Sequence, residues 1–219
     1  IDKIMPDANE RDCLLTVLSS TLTRRLFEYF IILTGAGRNG KDTLITGLLQ
    51  STLGDDNYYN NDVKLLTSPN KSSISQEKAN MNKKRAVIYG EPAKSDLLQC
   101  ATLKELRGCP KLHGRGIYSK NTDIYNQSTQ ILHCNRVPEL DAVDDAIANS
   151  LVIIPFRSLF RTPDQMKKYP KDTKFLYKTD TYYKSPEFLC NNKLPFMNIL
   201  LDYYKILSRN NFLMTNIPK

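Results

Sequence analysis

The chain has 219 residues, enough for one domain or one domain with a small appendage, and its 41% hydrophobic content supports a sizeable core and excludes a disordered chain. Lys and Arg total 31 against 23 Asp and Glu, a formal net charge of +8; charge alone leaves open a polyanion such as nucleic acid as partner, or a solvated basic surface. No run approaches the ~18 apolar residues of a membrane span, the five scattered cysteines suit a reducing compartment, and two histidines argue against a zinc site.

The chain opens Ile1-Asp2-Lys3, with neither an initiator Met nor the apolar stretch of a signal peptide, and is read as a fragment of a longer polypeptide. Residues 7–27 place Leu14, Leu15, Leu18, Leu22 and Leu26 at helical spacing, which predicts an amphipathic helix or a helix pair. Residues 29–33, Tyr-Phe-Ile-Ile-Leu, predict a buried strand. A glycine-rich loop follows, then a helical pattern over 43–53 closed by Gly54. Residues 55–82, rich in Asn, Ser and Lys, predict loops with one short helix near 76–81. A second buried strand over 85–92 ends in Glu91-Pro92. Residues 95–107 read as a helix capped by Ser95 or Asp96. Two strands over 111–119 and 128–134 are joined by a polar turn, and another over 150–156 is stopped by Pro155. Residues 162–193 show no clear period, and 195–207 predict a strongly apolar helix. Cys134, in an apolar run, reads as a buried core thiol. Strand, helix, strand, helix and further strands argue for an α/β layered fold with a largely parallel sheet, binding ligand at the carboxyl ends of its strands.

The loop Gly35, Ala36, Gly37, Arg38, Asn39, Gly40, Lys41 points to phosphate chemistry. Its successive N–H groups can converge on one oxyanion, its glycines permit tight turning, and the following helix adds its positive end. Lys41 would neutralise the β- and γ-phosphates of a nucleoside triphosphate. The residue after such a lysine normally carries a hydroxyl for Mg²⁺; here Asp42 stands there, followed by Thr43. Either Asp42 holds the metal, directly or through water, or Thr43 shifts into the role, or metal binding is weak. Glu91, ending an apolar strand, suits water activation or Mg²⁺ binding, with a structural role as the alternative. Asn135, at the end of Gln130-Ile131-Leu132-His133-Cys134, suits orientation of that water or contact with the γ-phosphate, or simply a turn before Val137-Pro138. Lys104, Arg107, Lys111, His113, Arg115, Tyr118 and Lys120 form a basic stretch with one aromatic. That composition suits either a phosphate-backbone grip or a solvated face.

Together these segments resemble the ATPase domain of superfamily 3 helicases, in the branch found in primase-helicases of large DNA viruses (poxvirus-like and relatives) and some phages. The resemblance covers about residues 4–160. It rests on Ile4-Met5-Pro6-Asp7, Asn39-Gly40-Lys41, Glu91-Pro92, Lys104-Glu105-Leu106-Arg107-Gly108, Gly114-Arg115-Gly116-Ile117-Tyr118, Cys134-Asn135-Arg136-Val137-Pro138, Asp145-Ala146-Ile147 and Ile154-Pro155-Phe156. It implies a P-loop, AAA+-like domain with a five-stranded, mostly parallel sheet, a β-hairpin before the sensor strand at about 118–128, and helical terminal pieces. The implied division is 1–27 helical, 28–161 ATPase core and 162–219 helical or irregular, within a larger primase-helicase. It further implies a homo-hexamer with ATP and Mg²⁺ between subunits, and single-stranded or forked DNA in the channel. A primase domain would lie in the same chain or a partner, with no membrane and a site of viral replication in host cytoplasm. Lys41, Glu91 and Asn135 would be catalytic, with Asp42, Thr43 and Glu91 toward the metal. Lys104, Arg107, Arg115, Tyr118 and Lys120 would meet DNA. Ser150 stands where the family tends to carry its arginine finger, leaving Arg157, Arg161 and Arg136 as candidates. Two other readings stay open: a weakly active or inactive ring scaffold that binds nucleotide and DNA, and an RNA helicase of small-virus type. The Glu-Pro and Ile-Pro-Phe segments weigh against the latter.

Overall fold

The structure, a computed structural model, describes residues 1–69, 76–114 and 122–213. Helix α1 (Ala8–Ser19) begins at Asp7, whose carboxylate accepts the Glu10 N–H at 3.0 Å. It passes into a single 3₁₀ turn, Ser20–Leu22, and stops short of the helix expected over 7–27. The cause is local: the hydroxyls of Ser20 and Thr21 bond back to the carbonyls of Val17 and Leu18, and this competition with the backbone favours an end.

Strand β1 (Phe30–Thr34) sits inside the sheet. Phe30 and Ile32 enter one buried cluster, Ile31 and Leu33 the other. Both faces are therefore covered, and this is why the strand reads as an unbroken apolar run. After the loop, the chain winds as a π-helix over Thr43–Leu49 and continues as α2 (Gln50–Leu53) to Gly54, which takes φ 75°. Strand β2 (Tyr58–Asn61) was hidden in the Asn-rich stretch expected to be loop; pairing with the apolar β3 (Ala86–Tyr89) makes it a strand. Between them lie α3 (Lys64–Thr67) and α4 (Gln76–Ala79), the latter at the short helix expected there.

Helix α5 (Cys100–Gly108) starts later than its expected cap at Ser95 or Asp96. Asp96 instead closes a turn onto the Ala93 N–H, and Leu98 is held extended by Glu139 and Asp141. Strand β4 (Lys111–Gly114) pairs antiparallel with β5 (Thr122–Tyr125), not with the next strand as the sequence suggested. This hairpin precedes β6 (Thr129–His133), which enters the main sheet. Next come α6 (Asp145–Ala148), β7 (Leu151–Pro155), β8 (Leu159–Arg161), α7 (Pro163–Met166) and β9 (Leu176–Lys178). Strand β8 pairs parallel with β9 in a stretch that showed no period. The last helix, α8 (Pro186–Arg209), begins nine residues before the expected start at Pro195 and contains that proline. Ser185 caps it and Pro186 occupies its first turn, while burial of Phe196, Leu200 and Leu207 offsets the bond lost at Pro195.

The main sheet has five strands in the order β2-β3-β6-β1-β7, all parallel. One face buries α1, the π-helical turn and α8; the other buries α5 and the β4–β5 hairpin. This is the α/β fold with a five-stranded parallel sheet flanked by helices that the sequence implied, consistent with a P-loop ATPase domain.

Candidate functional site

Strands β3, β6 and β1 are adjacent and parallel, so their carboxyl ends lie side by side. The segments leaving those ends carry Glu91, Asn135 and the loop 35–41. Three elements far apart in sequence thus open onto one edge, where parallel sheets bind ligands.

Lys41 is only 5% exposed, and its Nζ donates to the carbonyls of Gly35 at 2.6 Å and Cys134 at 2.9 Å. Burial pulls its pKa below the ordinary 10.5, opposed by Asp42 and Glu91. Glu91 accepts two bonds from one residue: the Asn135 N–H at 3.1 Å and the Asn135 Nδ2 at 2.7 Å. A cavity of about 270 Å³ is bordered by Lys41, Asp42, Glu91, His133 and Asn135. The Cys134 thiol, buried, is pushed up to about 11 and stays neutral.

The loop's shape is built from its glycines and Asn39. Gly35 takes φ 141°, and a Cβ there would stand 2.3 Å from the Phe156 carbonyl oxygen. Gly40 takes φ 90° and faces Ile4, so the lead-in segment packs directly on the loop. Asn39 is buried and accepts the Lys41 N–H at 3.2 Å, turning the chain into the helix. A larger cavity of about 620 Å³ opens beside the loop, between Ile4, Phe160, Tyr183 and Phe188, with Thr43 and Asp42 on its border. Its size and aromatic lining suit a nucleoside, while the smaller cavity suits phosphates.

No family model matches the chain. The chain is a distant homologue of two viral proteins. It is 34% identical over 213 residues to a protein of Acanthamoeba polyphaga mimivirus named "Putative helicase", covering 94% of this chain and 22% of that one. It is 29% identical over 154 residues to a protein of Frog virus 3 (isolate Goorha), also named "Putative helicase", covering 68% of this chain and 15% of that one. The chain therefore spans about a fifth of the length of these relatives. Among solved structures, the A form apo structure of the NrS-1 C terminal region superposes with a TM-score of 0.60 at 16% identity, over 91% of this chain and 42% of that one. A second apo structure of that region, spanning its residues 305–718, gives the same TM-score over 89% of this chain. At that identity the likeness establishes the fold.

The remaining sequence-derived candidates separate clearly. Lys104 pairs with Asp144, and Arg107 donates to the carbonyls of Glu28 and Ala146, so both are engaged within the fold. Arg115, Tyr118 and Lys120 lie outside the described residues, as does the expected hairpin tip. Ser150 is buried and donates its hydroxyl to the Ile147 carbonyl, so this position offers no cation to a neighbour. Arg157 grips Glu10 through Nε and Nη2 at 2.9 and 2.8 Å. Arg161 bonds to the loop of its own chain. Arg136 is exposed.

His133 also borders the smaller cavity, although no motif in the sequence marks it. Its Nδ1 lies 3.7 Å from Asp42 Oδ1, and burial pulls its pKa below 6.5 despite that carboxylate, so it is neutral at pH 7. Strand alternation carried the signal: Ile131 and His133 share a face, and Ile131 packs on the side of the loop helix. The donor set also fits a hard divalent cation. The Asp42 side chain is 70% exposed at the border of the smaller cavity, which Glu91 also lines. Among the described residues, no group of three His, Cys, Asp or Glu side chains could hold a metal alone. Mg²⁺ commonly binds through one or two carboxylates completed by water and substrate phosphate.

Proposed function

We propose that this chain is the ATPase module of a superfamily 3 DNA helicase within a viral primase-helicase. In this reading it binds ATP with Mg²⁺ between subunits of a hexameric ring and couples hydrolysis to movement along single-stranded DNA. The observation that carries the proposal is the meeting of buried Lys41 with the Glu91–Asn135 pair on one cavity at adjacent strand ends. The names of the two viral relatives support it. Lys41 exchanges its two carbonyl contacts for phosphate oxygens, and the loop amides hold the same group. Asp42 or Thr43 would hold Mg²⁺, which supplies charge neutralisation on the phosphates. Glu91 accepts a proton from the attacking water, and Asn135 orients that water. Residues 28–161 form the core of the module, with 1–27 and 162–219 as terminal pieces. Arg115, Tyr118 and Lys120 would meet DNA.

A second reading, a ring scaffold that binds nucleotide and turns it over weakly, draws on one set of observations. Ser150 is buried, and Arg157 and Arg161 are engaged inside their own chain, which leaves Arg136 as the exposed finger candidate. The test is steady-state ATPase across a Mg²⁺ titration, with and without single-stranded DNA, alongside a mass measurement of the assembly. DNA-stimulated turnover in a ring supports the helicase; none at any Mg²⁺ concentration favours the scaffold. Competition between single-stranded DNA and RNA separates the DNA-directed from the RNA-directed enzyme.

A further inference from the structure

The apex of the phosphate loop is tied to a segment 124 residues downstream. Arg38 adopts φ 63°, a left-handed conformation that a side chain disfavours, so neighbouring groups must hold it. Those groups come from β8 and α7. The Phe160 N–H donates to the Arg38 carbonyl at 2.9 Å. Arg161 Nη1 donates to the carbonyls of Gly37 at 3.2 Å, Arg38 at 3.3 Å and Phe160 at 2.9 Å. Its Nε donates to the Tyr169 hydroxyl at 3.1 Å, and its guanidinium stands 5.8 Å from the Tyr169 ring centroid. Arg38 Nη1 in turn donates to Gln165 Oε1 at 2.9 Å, and Gln165 is fixed by a capping box with Thr162.

We propose that Arg161, backed by Tyr169 and Gln165, is the positioning residue that holds the phosphate loop in its observed conformation. Its consequence for nucleotide binding rests on the ATPase reading above. The peptides are trans, so each carbonyl points opposite to the N–H of the next residue. The carbonyls of Gly37 and Arg38 share peptide planes with the N–H groups of Arg38 and Asn39. Held on the Arg161 side, these carbonyls turn those N–H groups away from Arg161; Gly37, Arg38 and Asn39 all border the smaller cavity. A guanidinium is suited to this because its donors are fixed in one plane; an ammonium of the same charge has no such fork. Arg161 therefore acts through the loop in its own chain, a different role from a finger offered to a neighbour.

The test is amide hydrogen exchange over residues 35–41 in nucleotide-free protein, comparing wild type, Arg161→Ala and Arg161→Lys. ATP and inorganic tripolyphosphate binding and ATPase are measured on the same samples. Loop exchange should accelerate about tenfold in both variants, while β3 and α5 stay protected as in wild type. Affinity for ATP and for tripolyphosphate should fall about tenfold together, with turnover at saturation within about threefold. If Arg161→Ala unfolds, Arg161→Lys, which keeps charge and stem, carries the test. Unchanged loop exchange overturns the proposal, as does wild-type behaviour of Arg161→Lys. So does a turnover loss of about 10³ with affinity intact, the signature of a finger. Faster loop exchange in a protein whose wild type binds no triphosphate would support the clamp and refute the ATPase reading instead.

Discussion

Replacing Glu91 by Gln separates binding from chemistry. The carboxylate accepts from the Asn135 N–H at 3.1 Å and Nδ2 at 2.7 Å. A glutamine has one carbonyl oxygen, so only one of these bonds survives. A hydrogen bond to a charged group contributes about 1.5–3 kcal/mol. Both residues are exposed here, so water replaces much of what is lost and the net cost falls below about 1 kcal/mol. For a domain of this size that lowers Tm by less than about 4 °C. Removing a general base costs about 10²–10⁴ in rate. Glu91→Gln should therefore stay folded, bind ATP within about threefold of wild type, and lose at least about 10² in ATPase turnover. Thermal melting, equilibrium ATP binding and steady-state ATPase on one preparation read all three. Because the two side chains bond directly, Asn135→Ala combined with Glu91→Gln should cost less than the sum of the single losses. Turnover of Glu91→Gln within twofold of wild type refutes the assignment; loss of ATP binding with turnover per bound ATP intact would make Glu91 a binding group instead.

Four further outcomes are expected. Phosphate binding selects the charged form of Lys41, whose pKa burial holds below 10.5, so ATP affinity should decline with rising pH before an ordinary lysine deprotonates; affinity that is flat to about pH 10 contradicts this. Gly35→Ala forces a Cβ to 2.3 Å from the Phe156 oxygen at φ 141° and should destabilise by about 2–5 kcal/mol in denaturant titration, whereas Gly37→Ala, with nothing within 4 Å, should cost under about 0.5 kcal/mol. Asp42→Ala should raise the Mg²⁺ concentration for half-maximal nucleotide binding about tenfold, and an unchanged titration would remove Asp42 from the metal site. Arg157→Ala breaks the pair with Glu10, more than half exposed on the arginine side; it should cost under about 1 kcal/mol and leave turnover within about twofold, while a loss of about 10³ would identify it as the finger.

What was legible in the sequence was local. The apolar runs of β1, β3 and β6 announced strands covered on both faces, and Gly35 to Lys41 announced a glycine-rich turn between a strand and a helix. Strand β2, Tyr-Tyr-Asn-Asn, carried no such signal because its partner β3 supplies the apolar context. Helix α8 was misplaced because Pro195 reads as a start, although a long helix with buried Phe196 and Leu200 retains it. In the site, Lys41 was readable from the glycine loop, and Glu91 and Asn135 from the ends of apolar runs. His133 was legible only as sharing the Ile131 face of β6; that this face meets the loop helix is a tertiary fact.

Sequence alone determined the loop's composition and its setting: glycines where the chain turns, a lysine behind them, and an acid and an amide after apolar strands. Those properties reside in a few consecutive residues and their backbone preferences. Tertiary structure alone decided the strand order β2-β3-β6-β1-β7, which brings Glu91 and Asn135 into contact beside Lys41. It also decided that Arg161 and Arg157 bond within their own chain. The reason is distance along the chain: these contacts join residues 44 to 147 positions apart, and no local periodicity specifies which long-range partner a folded guanidinium or carboxylate will meet.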